Sequence, residues 1–376
     1  MRVLVASDSY KGSLASTDVI QAIREAASRC GDIDVLGIPI ADGGEGTLDA
    51  VLSSMKGEKI ICEVTDPLGR KISAYYGLIN ETAMIEMAVS SGLTLLTDEE
   101  RNPLVATSYG LGEMIRHALD QSKIKEIIIG IGGSATNDGG IGMAQALGLR
   151  ALNAQNKEVP FGGAHLGEIV KLDARNMHPR LQQVSIRVMC DVSNPLCGAN
   201  GATAIYGPQK GASPDMVQLL EQNLHHLAER IRMDMGTTVL DIPGGGAAGG
   251  VGAALVAFCN ANLQSGIDVI LDLFSFEEKI EDVDLIITGE GNTDAQTAFG
   301  KAVIGVARRA QPFRKNVVCL SGAIGKDLEP LYQYGLDCFF SICPGPVRLE
   351  ESMSNAHSYL VDTAENILRL YIKGRE

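Results

Sequence analysis

Apolar residues in this chain fall into two alternating rhythms. Short continuous runs, Val3–Ala6 and Asp34–Ile40, read as buried strands. Between them Val19, Ile20, Ile23, Ala26 and Ala27 recur at helical spacing, predicting a helix from Ser16 to about Arg29. The same grammar returns towards the end: a strand over Val283–Thr288, a loop over Gly289–Gly300 and a helix over Lys301–Ala310. Strands at Val317–Leu320 and Cys338–Ile342 follow, with a last helix over Ser354–Tyr371. Such alternation predicts a parallel sheet with helices on both faces.

The middle has a different texture. Lys59–Glu86 is extended and mixed in character, and strands are expected at Glu126–Ile131 and near Ser185–Cys190. Ser213-Pro214-Asp215 is a helix start, and Leu220, Leu224, Leu227 and Ile231 form the apolar stripe of the helix running to Met235. His225 and His226 on that helix read as surface residues rather than ligands. The chain therefore divides into a discontinuous domain of residues 1–62 plus 283–376 and an inserted domain of residues 63–282.

Composition narrows the function classes. The 376 residues include 43 glycines, which come in short groups beside apolar runs and carry no collagen-like period. A net charge of −14 argues against a nucleic-acid or anionic-membrane surface. It leaves room for one small anion held by lysines and backbone N–H groups. The eight cysteines show no CxxC pair and read as reduced thiols. No signal peptide or membrane span is evident, so a soluble cytoplasmic protein is expected.

Candidate chemistry sits in glycine-bearing loops that follow apolar runs, where open α/β sheets bind ligands. In Asp8-Ser9-Tyr10-Lys11-Gly12-Ser13, Ser9 and Lys11 precede a helix and can hold a phosphate or carboxylate, or simply line a solvated loop. Asp42, Gly43, Gly44 and Glu45 combine close backbone approach with carboxylates for a hydroxyl or a metal. In the segment 130–140, Gly132 and Gly133 with Ser134, Thr136 and Asn137 suit a phosphate cradle, and Asn137 or Asp138 could meet Mg²⁺. Asp191, ending a strand, is a candidate general base or metal ligand, and Lys210 a candidate phosphate partner. Gly244, Gly246 and Gly249 match GxGxxG, which keeps a nucleotide role open beside plain helix packing. Glu290 and Asp294, with Lys301 opening the next helix, suit Mg²⁺ and phosphate.

No Walker A lysine motif, protein-kinase signature, GxSxG elbow or HExxH occurs. The residues alone define a two-domain α/β enzyme handling a phosphate or small carboxylate with Mg²⁺. Seven ordered segments carry a sharper resemblance: DSYKGS at 8–13, ADGGEGT at 41–47, GIGGSATNDGG at 130–140, CDVSNPL at 190–196, GPQKGA at 207–212, PGGGAAGG at 243–250 and TGEGNTDAQT at 288–297. Together they resemble the bacterial glycerate kinase family.

That resemblance implies two dissimilar α/β domains, one with a Rossmann- or flavodoxin-like parallel sheet and one inserted and mixed, with the active site in the cleft between them. It implies ATP as donor with Mg²⁺ as cofactor, D-glycerate as acceptor, and 2-phosphoglycerate as product in preference to 3-phosphoglycerate. Lys11 and Lys210 would then hold phosphate or the glycerate carboxylate. Asp42, Glu45, Asp191, Glu290 and Asp294 would supply the base and the metal ligands, with Asp191 as the base. No nucleic acid or membrane partner is expected, and self-association is left open. Two rivals remain: an NAD(P)-dependent hydroxy-acid oxidoreductase built on Gly244–Gly249, and a non-catalytic anion-binding sensor.

Overall fold

The computed structural model describes residues 1–40, 46–298 and 302–375. It divides into two compact units, one of residues 1–42 with 266–376 and one of residues 43–265. Strands are numbered along the chain. The first unit holds β1 (Arg2–Ser7), β2 (Asp34–Pro39), β11 (Leu285–Thr293), β12 (Asn316–Ile324) and β13 (Cys338–Ser341). The second holds β3 (Glu58–Thr65), β4 (Lys71–Ile79), β5 (Thr82–Glu86), β6 (Glu126–Gly130), β9 (Ser185–Met189) and β10 (Asn262–Gln264), with β7 (Arg150–Leu152) and β8 (Lys171–Asp173) forming a separate antiparallel pair.

In the first unit the strand order is β13-β12-β11-β1-β2, and every neighbouring pair is parallel. Val3, Leu4 and Val5 of β1 and Leu285, Ile286 and Ile287 of β11 are all fully buried. Continuous apolar runs of this kind are what a sheet covered on both faces requires. Val3, Val5, Leu285 and Ile287 share a core with the helices Ser16–Cys30 and Ala356–Lys373. Leu4 and Ile286, alternating with them, point to the other face, and the helix Ala302–Ala310 packs on β1, β11 and β12. From β1 the chain moves out to β2 on one side and later returns to β11 on the other. The order therefore reverses between β1 and β11, the position where such sheets bind ligands.

One expectation fails here. The strand predicted to end at Thr288 continues to Thr293, replacing the first part of the expected loop. It stays paired with β12 as far as Thr293↔Ile324. Its glycines permit this, because a Cβ at Gly289 would lie 1.9 Å from the Leu320 carbonyl oxygen.

The second unit has the order β10-β9-β6-β5-β4-β3, parallel from β10 to β5 and antiparallel from there to the edge. The predicted stripe Leu220, Leu224, Leu227 and Ile231 is buried along the helix Pro214–Met235, and the Ser213 hydroxyl accepts a bond from the Met216 N–H at its start. His225 is exposed as expected, whereas His226 bonds through Nε2 to the Ile169 carbonyl and ties the helix to a loop.

The unit boundaries fall at 42/43 and 265/266 rather than at the expected 62/63 and 282/283. Pairing explains the first shift. β3 joins β4 from Glu58↔Leu78 onward, and the buried Glu86 carboxylate accepts from the Leu48 N–H at the start of the helix Thr47–Met55. Helix packing explains the second, since the helix Gly266–Leu273 rests on Ala302–Ala310.

The stripe and the exposed face of the long helix should respond differently to truncation. Leu224→Ala is expected to cost about 3 kcal/mol of stability and His225→Ala less than about 0.5 kcal/mol, read by urea denaturation.

Candidate active site

In the first unit the carboxyl ends of β1 and β11 are locked together. The Asp8 N–H and the Ser7 hydroxyl both donate to the Gly289 carbonyl, at 2.9 Å and 3.0 Å. Beyond this point DSYKGS folds as a tight turn. Tyr10 is buried and donates its hydroxyl to the Leu320 carbonyl at 2.7 Å, while its backbone pairs with Leu14. Asp8 and Ser9 are thereby left half-buried and Lys11 exposed. Asp8 Oδ1 accepts from the Ser9 N–H at 2.7 Å.

β11 brings Glu290 and Asp294 to the same end of the sheet. Glu290 accepts from the hydroxyls of Thr293, at 3.1 Å, and Thr297, at 2.6 Å. Burial raises the Glu290 carboxyl above its usual range, and the charges of Asp8 and Asp294 push it the same way. Asp294 accepts from the Asn292 amide at 2.8 Å. Asp42, Gly43, Gly44, Glu45 and Lys301 lie outside the described residues.

In the second unit four of the motif segments converge on one another. A Cβ at Gly246 would lie 2.2 Å from the Pro195 carbonyl oxygen, and one at Gly249 would lie 2.1 Å from that of Thr136. Asn137 donates to the Thr203 hydroxyl at 3.0 Å, and Tyr206 donates to Asn194 at 2.7 Å. Gly244 and Gly246 are buried in this packing, and no strand directly precedes them. The GxGxxG spacing is thus accounted for by backbone-to-backbone contact, not by the strand-to-helix turn that a dinucleotide needs.

Two residues expected to meet ligands are interior. Asp138 is 1% exposed, and its carboxylate accepts from the Ser108 N–H and hydroxyl and from the N–H groups of Gly140 and Gly142. With both oxygens engaged it organises the loop and offers no open metal position. Burial still raises its carboxyl above the usual range. Lys210 is 2% exposed and donates to the Ser134 hydroxyl at 2.9 Å and to the Thr136 carbonyl at 2.6 Å. It pins the glycine loop from inside rather than facing a phosphate. Burial lowers its amine to about 7, against the pull of Asp138.

What stays accessible lies at the carboxyl ends of β6 and β9. Gly132 is half-buried and Gly133 exposed where the loop leaves β6, while Ser134, Thr136 and Asn137 are buried behind them. Asp191, half-buried just after β9, accepts from the Ser265 hydroxyl at 3.3 Å. Sequence reasoning passed over Asp8, although it opens one of the motifs, and the hydroxyls of Thr293 and Thr297 beside Glu290. It also passed over Ser108, whose partnership with Asp138 spans 30 residues and leaves no local signal. Among the described residues no three His, Cys, Asp or Glu side chains converge as a complete metal cage. Among them, too, no helix is long and apolar enough to cross a membrane.

A family model described as the glycerate kinase family matches residues 3–372. This chain belongs to the glycerate kinase family. It is 46% identical to a glycerate kinase of Haemophilus influenzae, with 98% of each chain covered. It is 45% identical to a glycerate 2-kinase of Escherichia coli over 98% of this chain and 97% of that one. Its fold matches a crystal structure of a protein assigned as glycerate kinase 2 from Salmonella typhimurium LT2, at 44% identity and a TM-score of 0.89, covering 100% and 99% of the two chains. In this glycerate kinase family chain, DSYKGS follows β1, GIGGSATNDGG leaves β6 and CDVSNPL follows β9.

The buried lysine makes a pH-dependent prediction. Below about pH 7 its amine is protonated in both folded and unfolded chains, and the burial penalty is fully present. From there up to the ordinary lysine value only the unfolded chain keeps the proton, so stability rises with pH. Denaturant unfolding across this range should show wild type gaining stability relative to Lys210→Met. A constant difference would mean that the amine stays charged inside the fold.

Proposed function

We propose that this protein is a glycerate kinase, transferring the γ-phosphoryl group of ATP to a hydroxyl of D-glycerate. The observation that carries this reading is the full-length match: the Haemophilus influenzae glycerate kinase aligns with it over 98% of both chains at 46% identity, and the family model runs from residue 3 to 372. The Escherichia coli relative's name, glycerate 2-kinase, supports 2-phosphoglycerate as the product. The packed GxGxxG segment removes the observation on which an oxidoreductase reading rested.

Phosphoryl transfer asks a protein for positioning and charge neutralisation more than for covalent chemistry. Exposed Lys11, on a turn anchored by Tyr10, is suited to an anionic group of either substrate. The N–H groups of Gly132 and Gly133 can face phosphate oxygens, with Ser134, Thr136 and Lys210 holding the loop in shape. Glu290, crowded by the charges of Asp8 and Asp294, offers hard oxygen donors whose repulsion a divalent cation relieves. Glu290 is therefore the described carboxylate that would hold Mg²⁺, with Asp8 and Asp294 adding negative charge nearby. When bound, Mg²⁺ would supply charge neutralisation for the transferring phosphoryl group. Asp191, oriented by Ser265, is the proposed base for the glycerate hydroxyl proton.

Incubation with ATP, Mg²⁺ and D-glycerate, followed by ³¹P NMR, is expected to show a new phosphomonoester. Coupling to one proton identifies the 2-phosphate and coupling to two the 3-phosphate, while no transfer by folded protein would refute the reading. Asp191→Asn is expected to lower kcat by about 10²- to 10⁴-fold with little change in KM for ATP. A near wild-type kcat would remove Asp191 from the role of base.

A further inference from the structure

The first unit carries a polar cavity at the end of its sheet opposite Glu290. It measures about 540 Å³ and is lined by Asp284 just before β11, by Arg314, Lys315 and Asn316 at the start of β12, and by Tyr371 and Arg375 at the end of the last helix. The strand β11 separates this cavity from Glu290. Six residues of strand rise put the two about 20 Å apart.

The charge of this cavity is opposite to that of the chain. Arg375 pairs with Asp284, so those two charges offset each other. Lys315 donates to the Glu281 carbonyl at 2.7 Å and the Val283 carbonyl at 3.1 Å, which satisfies two of its N–H groups and neutralises none of its charge. Arg314 is exposed and has no carboxylate partner among the described residues. Two positive charges are thus left uncompensated in one concavity of a protein whose net charge is −14.

The polar floor is already ordered. Asn316 donates to the Tyr371 hydroxyl at 2.9 Å, and that hydroxyl donates to the Asp284 carbonyl at 2.7 Å. This arrangement holds the tyrosine ring in place, with the Arg375 guanidinium 5.8 Å from its centroid. A guanidinium fork beside an ammonium with a spare N–H is a fitting pair for tetrahedral, multiply charged oxyanions.

We infer that this cavity is an anion-binding site for a small phosphate-bearing molecule, separate from the glycerate kinase site and centred on Arg314 and Lys315. It stands on the charge and geometry of the first unit and does not depend on the proposed function. Pyrophosphate is the probe, titrated into the full-length protein by calorimetry at low ionic strength. Wild type is expected to show a class of sites whose affinity Arg314→Glu lowers about tenfold or more, with Arg314→Ala between the two. Added salt should weaken the same class, because the cavity is open to solvent. The Tm of Arg314→Glu and its kcat and KM without pyrophosphate are expected to match wild type. Pyrophosphate binding that is equal in wild type and Arg314→Glu would overturn the proposal, as would its absence from wild type. Altered kcat in Arg314→Glu would overturn the separation of the two sites.

Discussion

The parallel pairing of β11 between β1 and β12 is the constraint on which the first unit depends. It joins segments more than 280 residues apart, and it holds only if backbone N–H and C=O groups find partners along the whole strand. The glycines after Thr288 let that pairing run on where a side chain would collide with Leu320. Asp8 and Glu290 consequently emerge side by side at the point where the strand order reverses. The acidic character of that end is a result of register: Asp8 follows β1, Glu290 lies within β11 and Asp294 follows it. Burial, and the charges of Asp8 and Asp294, raise the Glu290 carboxyl above its usual range.

The second unit solves a related problem with a different material. Its motif loops must pack on one another, and a side chain at Gly246 or Gly249 would overlap a neighbouring carbonyl. Two of the buried charged side chains in this packing are satisfied from within: Asp138 by four donors, Lys210 by two acceptors. A neutral lysine has two N–H groups, and the structure supplies two oxygens for them. That match agrees with the lowering of its amine to about 7. The loop leaving β6 therefore presents Gly132 and Gly133 outward on an ordered scaffold, which is the form of preorganisation that phosphoryl transfer uses.

At the other end of the first sheet, local charge departs from the average of the chain. The chain carries a net charge of −14, yet around the start of β12 two cations have no carboxylate partner among the described residues. Net charge read over the whole sequence hides such a place, because it depends on where the last helix returns against β11 and β12.

By itself, the sequence determined the strands of the first unit, the apolar stripe of the long helix and the identity of the motif loops. These are legible because period and continuous apolar runs are local properties, and each was written in adjacent residues such as Val3–Ala6 or at fixed intervals from Leu220 to Ile231. The family was legible too, in ordered segments from DSYKGS to TGEGNTDAQT. Tertiary structure alone decided that β11 runs on through glycines, because the partner that sustains it is 31 residues further along, as in Thr293↔Ile324. It alone decided that Lys210 and Asp138 turn inward while Gly132, Gly133 and Asp191 stay accessible. Residue type says that a lysine or an aspartate can meet a ligand. Whether it faces one is settled by burial and hydrogen-bond partners, and those come from segments that the local sequence does not contain.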